Sequence, residues 1–252
     1  MSEAREPFAL VGVVHLVRPA GQWAHDLDEL RSGIAAAGAT SLFHHAVQYA
    51  LRDPACEELP PDDFAAWVGG VVQDRETAER MSFVAQVRNR SADELRAGLL
   101  EVLDALPERV RRTRDAPAEG RFGFLEAESV AVPLGHEVKD GTELVDALIA
   151  ADAGAWFYHL VEEPWFGGGK CPLLEWLGAG GEARLAGWLE AAAAEGLPID
   201  SARRLLARRW RQSRLARRVA EAARAPEETR QEAARAGAAQ LARQLARPRE
   251  AE

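Results

Sequence analysis

The chain has 252 residues, of which 47% are hydrophobic and 28% are charged, and its formal net charge is −9 at pH 7. This composition is typical of a globular protein of one large or two small domains and excludes the disordered class. The apolar run Phe8–Val17 falls short of the roughly 18–20 residues of a membrane-spanning helix, and the N-terminus lacks the features of a secretion signal. We therefore expect a cytoplasmic protein with no membrane span.

An internal repeat organises most of the chain. Shifting the sequence by 114 positions superimposes Phe8–Tyr49 on Phe122–Glu163 without a gap, and 12 of the 42 aligned pairs are identical. Such self-similarity indicates one structural unit that occurs twice. The sequence therefore predicts a mainly α-helical protein of two pseudo-symmetric repeat units packed into one body, followed by a basic helical tail. The identical pairs include Pro19/Pro133, Gly21/Gly135, Asp26/Asp140, Phe43/Phe157 and His45/His159.

Each unit opens with an apolar segment, Phe8–Val17 in the first and Phe122–Val132 in the second. Periodicity does not separate a buried strand from a helix in so short a run, and we favour an extended segment. A Pro-x-Gly follows in both units, beginning at Pro19 and Pro133, and indicates a turn.

A helix is predicted next in each unit and begins at an aspartate, Asp26 or Asp140. An aspartate side chain accepts hydrogen bonds from the free amides of a first helical turn. Glu29 and Glu143 follow three residues later, at the glutamate position of a capping box. Equal caps at equal spacing predict the same local geometry in both units.

Further helices are expected in both units. Ser91 and Glu94 form a capping box and predict a long helix at the end of the first unit. The other predicted segments are Thr40–Leu51, Phe64–Val72 and Glu76–Gln86 in the first unit, and Gly154–Glu163, Ala183–Ala194 and a helix starting near Asp200 in the second.

Four regions follow from these elements. Residues 1–110 form the first repeat unit, 111–120 a linker, 121–200 the second unit and 201–252 an arginine-rich tail whose first part packs on the body. The tail contains 14 Arg and 6 Glu, a net charge of +8, so residues 1–200 carry −17. Opposite charges of this kind suit an intramolecular dock as well as an anionic partner.

The best candidate site residues are His45 and His159, the two histidines that occupy matched positions in the repeat. Glu163 follows His159 by four residues, so on a helix the two side chains share a face. This pair suits two metal ligands or a base with an orienting carboxylate. The alternative, which we favour, is a pair of buried packing histidines without a metal.

Four further binding candidates have an acidic, aromatic or basic side chain. Asp62 and Asp63 can bind Mg²⁺ or act as acid and base, but Asp62 is also placed to cap the Trp67 helix, which we favour. Trp165 lies beside a glycine run that ends at Lys170. This run lacks the Walker pattern, so a flexible connector is favoured over a phosphate loop.

The tail segment 201–224 is expected to form an amphipathic helix. Its apolar side predicts packing on the acidic body through Leu205, Leu206, Trp210 and Val219. Part of the arginine row is expected to stay exposed as a weaker anion-binding site, which makes a nucleic-acid partner possible. These arginines are Arg204, Arg208, Arg211 and Arg218.

Three motifs carry a resemblance to a known family. They are Ser41-Leu-Phe-His-His45, Asp63-Phe-Ala-x-Trp67-Val and Leu95-Arg96-x-x-Leu-Leu100. In this order they resemble the prokaryotic domain-of-unknown-function family 5752, over most of residues 8–105 and more faintly over 122–210. The family uses Asn where this chain has Asp62. The resemblance implies the architecture, no defined activity and a loose link with sugar and glucan metabolism.

No nucleophile, base and orienting group are legible together. We therefore expect a non-catalytic binding or regulatory protein for a protein partner or small ligand, with no cofactor and no metal. The alternatives are a metal- or carboxylate-dependent enzyme acting on a sugar or phosphorylated small molecule, and a nucleic-acid-binding protein. Cys56 and Cys171 are too few for a disulfide scaffold and lack zinc-site spacing, so both are expected to be free thiols.

Overall fold

A computed structural model describes residues 5–51, 62–86, 91–194 and 199–224. In these ranges the protein is mostly helical, as predicted, and contains one two-stranded antiparallel sheet of β1 (Phe8–Ala24) and β2 (Phe122–Val138). A short 3₁₀ helix spans Gln48–Leu51 and a π-helical turn spans Tyr158–Glu162. The α-helices are α1 (Leu27–Ala36), α2 (Ala39–Ala46), α3 (Asp63–Gly70), α4 (Arg75–Gln86), α5 (Ala92–Asp104), α6 (Glu108–Thr113), α7 (Gly141–Ala150), α8 (Ala153–Phe157), α9 (Glu163–Phe166), α10 (Pro172–Ala179), α11 (Ala183–Ala194) and α12 (Ile199–Arg224).

Both apolar opening segments are strands, but the turns predicted after them are wrong. Each strand is 17 residues long and continues through its Pro-x-Gly. The glycines, Gly21 at φ 76° and Gly135 at φ 70°, lie in register shifts where extra residues of one strand bulge out. Glycine adopts positive φ without strain, so a Pro-x-Gly sequence that is typical of turns can also form a β-bulge.

Both prolines lie where the sheet does not need their missing amide. Pro19 pairs with Leu125, and Pro133 pairs with Val11. The amides of Leu125 and Val11 each donate to a histidine outside the sheet. These are therefore the positions of an antiparallel ladder whose backbone groups point away from the partner strand, and proline is tolerated there.

The helix starts confirm the predicted aspartate caps. Asp26 accepts from the amides of Asp28 and Glu29 at the start of α1, and Asp140 accepts from Glu143 at the start of α7. The glutamates reach one residue further back than a capping box requires. Glu29 accepts from the amide of His25 at 2.7 Å, and Glu143 accepts from the equivalent amide of Lys139 at 2.9 Å.

Other local predictions are confirmed in the first half. Asp62 caps α3 through the amide of Ala65, and Ser91 and Glu94 form the capping box of α5. The predicted linker 111–120 differs in one respect, because its first three residues complete α6. In the second half, α11 has the predicted bounds.

Aromatic side chains join the two halves at the core. Phe43 and Phe157 are fully buried and their ring centroids lie 5.6 Å apart. Each strand also packs on a tryptophan of the opposite half of the chain. Phe122 of β2 packs on Trp67 in the first half at 5.8 Å, while Phe8 of β1 packs on Trp176 in the second half at 5.5 Å. The two-stranded antiparallel ribbon of β1 and β2 is therefore part of the core in both halves of the chain.

The chain divides into two compact units, Met1–Leu206 and Ala207–Glu252. Within the first unit, the start of α12 buries Ala202 and Leu206, and Arg203 donates to the carbonyl of Ile149 at 3.2 Å. In the second compact unit, Ala207–Glu252, Leu215 is exposed. The side chain of Val219 lies outside the described residues. Across the described chain, no helix has the length and hydropathy needed to span a membrane.

Candidate functional site

His45 lies on α2 and binds the sheet through one ring nitrogen. Its Nε2 accepts from the amide of Leu125 at 2.8 Å, and its Nδ1 lies 2.9 Å from Oδ2 of Asp63. Ser41, one turn earlier, donates to the carbonyl of Leu125 at 2.7 Å. Helix α2 therefore satisfies both backbone groups of one residue at the edge of β2.

His159 makes the same two bonds in the second half. Its Nε2 accepts from the amide of Val11 at 3.1 Å, and its Nδ1 lies 2.9 Å from Oε2 of Glu163. The residue spacing from His45 to His159 equals that from Val11 to Leu125. Both rings are buried, with 2% of each residue exposed. The expected burial of the two histidines is confirmed.

The bonds fix the proton on each ring. A nitrogen that accepts from an amide N–H carries no proton itself, so the single proton of each neutral imidazole is on Nδ1 and is donated to the carboxylate. A general base or a metal ligand needs a lone pair that is free to act. Neither His45 nor His159 has such a free lone pair, because freeing Nε2 would break its hydrogen bond to the strand amide.

The predicted site residues form two groups and not one pocket. Asp62 and Asp63 lie with His45, whereas Glu163 lies with His159. The two histidines hold the ribbon at Val11 and at Leu125, which pairs with Pro19. Eight residues of strand separate these points, or about 26 Å at roughly 3.3 Å per residue.

One group of potential metal ligands occurs in the described chain, formed by His44, His45 and Asp63 with their ligand atoms within 4.8 Å of one another. Its members already have other contacts. Nδ1 of His44 lies 2.6 Å from Oε1 of Gln48, and both nitrogens of His45 are bonded as described. A metal ion would have to replace the bond between His45 and Asp63.

Asp62 is a buried carboxyl whose role is to cap α3. Its Oδ1 accepts from the amide of Ala65 at 2.7 Å, and its Oδ2 is buried without a hydrogen-bond partner. Burial disfavours the charged carboxylate and raises the pKa of Asp62 to about 7. Asp62 therefore fits a structural cap with an energetic cost at neutral pH.

The equivalent N-cap position of α10 is held by Cys171, a buried free thiol whose side chain makes no capping hydrogen bond. Its Sγ donates to the carbonyl of His159 at 3.2 Å. Burial raises the pKa of this thiol, which makes it a poor nucleophile. The other cysteine, Cys56, lies outside the described residues.

The sequence did not single out a third histidine–carboxylate pair at the middle of the ribbon. His15 of β1 binds Oε2 of Glu162 through Nε2 at 2.8 Å, and only 3% of Glu162 is exposed. His15 also contacts the rings of Phe43 and Phe157. A cavity of about 360 Å³ lies beside this pair, between β2 and α9. The sole sequence signal was a histidine inside the apolar run Phe8–Val17.

The remaining binding candidates lie on α9 and at the end of the glycine run. Trp165 is partly buried against the core, and its neighbour Phe166 is 47% exposed. Lys170 is exposed at the end of the glycine run, where Gly168 and Gly169 have positive φ. This geometry fits the predicted connector.

The arginine candidates lie on α12. Arg204, Arg208 and Arg211 are all exposed. Arg204 belongs to the first compact unit, and Arg208 and Arg211 belong to the second. The side chain of Arg218 lies outside the described residues. The predicted anion-binding role of these residues stays a prediction.

Comparison with known proteins places the body in a family. A model of a family of unknown function (DUF5752) matches residues 5–206. The solved structure of OrfY from Thermoproteus tenax is similar, with 26% sequence identity and a TM-score of 0.65, over 82% of this chain and 93% of OrfY. No curated protein matches this chain. The family match includes both halves and ends where the first compact unit ends.

Proposed function

This chain belongs to the DUF5752 family of unknown function, as its motifs indicated, and we propose that it is a non-catalytic binding protein. The observation that carries the proposal is the state of His45 and His159. Each ring has one nitrogen bonded to the strand and the other beside a carboxylate. These bonds make the rings structural links between helix and ribbon.

Catalysis by these residues would need them to act together. A base, its orienting group and a nucleophile must lie within hydrogen-bond reach of one substrate. His45 and His159 hold points of the ribbon that are about 26 Å apart at roughly 3.3 Å per residue. This separation favours a binding protein over the alternative of a metal- or carboxylate-dependent enzyme.

We further propose that the body consists of two divergent copies of one unit. Several contacts recur between the two halves, at a shift of 114 residues in the ribbon and 109 residues at the matched tryptophans. Trp67 donates to the carbonyl of Gly120 and Trp176 to the carbonyl of Glu6, and Gly120 matches Glu6 under the shift of 114. The strand register supports the same symmetry, because the pair of Val11 and Pro133 becomes the pair of Leu125 and Pro19.

The test of the binding function combines a stability screen with a turnover assay. Sugars, nucleotides, sugar phosphates and amines are added singly to the full chain, and the melting temperature is measured. A ligand that binds the folded state raises it. We expect at least one compound to do so while NMR shows that compound unchanged after prolonged incubation. Formation of a product would contradict the proposal.

A matched variant separates the two functions. In His45→Gln the amide oxygen of glutamine can still accept from Leu125, so the variant retains part of the link. We expect it to melt earlier and to bind the same compound with unchanged affinity below its melting temperature. If an activity exists and His45→Gln abolishes it in the folded protein, the enzyme alternative is right.

A nucleic-acid partner is a second candidate because Arg208 and Arg211 are exposed on the second unit. Each phosphate contact by an arginine releases counterions and makes the affinity depend on salt. Binding of a labelled duplex by the full chain, measured from 50 to 200 mM salt, tests this candidate. Unchanged affinity in Arg208→Gln/Arg211→Gln would exclude these two residues.

A further inference from the structure

We propose that the cavity beside β2 binds a small organic cation, such as a diamine or a guanidinium compound with a short alkyl chain. This inference rests on the proposed binding function and names its ligand class. The cavity volume of about 360 Å³ lies within the usual range of about 300–1,000 Å³ for small-molecule sites. Its charged lining residues are Arg18, Glu126, Glu128 and Glu162.

The charge of the cavity favours a cation. Three carboxylates and one guanidinium line it, a formal sum of −2. Arg18 pairs with Glu126 at 2.9 Å, and its side chain is 68% exposed, so it can turn into solvent when another cation arrives. An excess of negative charge between low-dielectric walls raises the local concentration of cations.

Glu162 is the anchor of this site because its position is fixed. The residue lies at the end of the π-helical turn and is almost fully buried. Its Oε2 is bound to His15 of β1 at 2.8 Å. A carboxylate that is already immobilised loses little conformational entropy when a ligand binds. π-helical turns also occur frequently at functional sites.

The edge of β2 supplies further acceptors. The amide and carbonyl of Leu125 point away from β1, since they bond to His45 and Ser41 of α2. Backbone direction repeats every second residue along an antiparallel strand. The carbonyls of Ala127 and Ser129, which also line the cavity, therefore face the same edge. An ammonium group has three donors and no acceptor and so matches such a wall.

Phe166 favours an organic cation over a bare metal ion. Phe166 lines the cavity, and 47% of the residue is exposed. An aromatic face attracts ammonium and guanidinium groups and also packs on an alkyl chain. A metal ion would use only the carboxylates and would leave this ring exposed to water.

The matched region of the other half lacks these features. Gly12 and Val14 are the counterparts of Glu126 and Glu128 at the spacing of 114. Gly154 is the counterpart of Thr40, and a Cβ added to it would lie 3.3 Å from the carbonyl oxygen of Val13. Helix α8 therefore lies close against the edge of β1. The charged cavity is not a requirement of the fold, because the other edge is built without one.

The test is calorimetric titration of the full chain at constant low ionic strength with agmatine and putrescine, and separately with Mg²⁺, phosphate and glucose. We expect one molecule of either amine per chain and no comparable binding of the other three probes. Glu162→Gln should weaken amine binding at least about tenfold, and Glu128→Gln and Phe166→Ala about three- to tenfold. Glu128 and Phe166 are exposed, so their variants should fold.

Glu137→Gln is the matched control, because Glu137 is an exposed glutamate of β2 outside the cavity, and it should bind amines as the wild type does. Equal loss in the control would reduce the effect to net charge and overturn the proposal, as would unchanged binding in all cavity variants. Binding of Mg²⁺ without binding of either amine would indicate a metal site and would overturn the proposal. If no amine binds but a sugar or nucleotide stabilises the chain, the ligand class is wrong and the binding function stands. If an amine binds and is converted, the site is right and the binding-only function is wrong.

Discussion

The two buried histidines have the same bond to the ribbon but obtain their carboxylates differently. Asp63 reaches His45 from another helix, 18 residues along the chain, whereas Glu163 reaches His159 from the next turn of the same segment. Both carboxylates are 23% exposed. The shared feature is therefore the bond from ring to strand, and the source of the carboxylate is interchangeable. This comparison supports a structural role for the rings.

The largest effect should come from breaking both ring-to-strand bonds. His45→Ala and His159→Ala each leave a strand amide unpaired and open a cavity, which costs about 3 kcal/mol. The sites are far apart, so the double variant should lose the sum of the two. Denaturant unfolding of the single and double variants measures these values.

His25→Ala is the control, since the side chain of His25 is exposed and its one hydrogen bond in the described structure is to Glu29. It should change the free energy of unfolding by less than about 0.5 kcal/mol. A loss in only one of the two buried-histidine variants would break the comparison between the halves.

The second effect concerns the unlike N-cap residues: Asp62 caps α3 through its side chain, whereas the side chain of Cys171 does not cap α10. Burial raises the pKa of Asp62 from 3.8 to about 7 in the folded state. The protonated carboxyl is thus favoured by folding, and its contribution is fully present below about pH 4 and is lost as the pH rises through 7. Asp62→Asn keeps an acceptor for the amide of Ala65 without the charge.

We therefore expect Asp62→Asn to match the wild type near pH 4 and to be more stable above pH 8, by on the order of 4 kcal/mol. Unfolding by denaturant at several pH values gives this difference directly. A constant difference between pH 4 and pH 8 would show that Asp62 is charged in the folded protein throughout.

The third effect concerns α5 in the first half and the start of α12 in the second. Arg96 of α5 donates to the carbonyl of Ala37 at 2.8 Å, and Arg203 of α12 donates to Ile149 at 3.2 Å. Deleting residues 201–252 removes Arg203 and the buried Leu206, which should cost about 3 kcal/mol. Deleting 226–252 should cost little. Equal melting temperatures for the two truncations would contradict the packing role of α12.

The smallest effect sharpens the comparison of the carboxylates. Asp63→Asn and Glu163→Gln leave an oxygen that can still accept from Nδ1 of the ring. Each should therefore cost only about 0.5–1 kcal/mol, and the two costs should be similar. Thermal unfolding of both variants under one condition checks this. A much larger cost in either would give that carboxylate a role beyond orienting its histidine.

Local features of the fold were predictable from sequence, and non-local ones were not. The caps Asp26, Asp62 and Asp140 bond to amides two or three residues away, so the spacing alone revealed them. The Pro-x-Gly at Pro19 resembles a turn unless the pairing with β2 is known. Its role as a bulge depends on residues more than 100 positions away.

The candidate site shows the same limit. The repeat identified His45 and His159, and the spacing of four identified Glu163 as a partner of His159. The strand amides that the rings bind belong to the opposite half, so no local pattern announced them. The pair of His15 and Glu162 spans 147 residues and was missed for the same reason.

The central claim is that His45 and His159 are structural links whose Nε2 atoms accept hydrogen bonds from the ribbon. Long-range ¹H–¹⁵N NMR of the histidine rings at pH 7.5, assigned with the single His45→Gln and His159→Gln variants, measures the protonation of each nitrogen. We expect both rings to be neutral, with the proton on Nδ1 and an unprotonated Nε2 that is unchanged by a chelator. A proton on Nε2, or a ring signal that shifts when a metal is removed, would contradict the account.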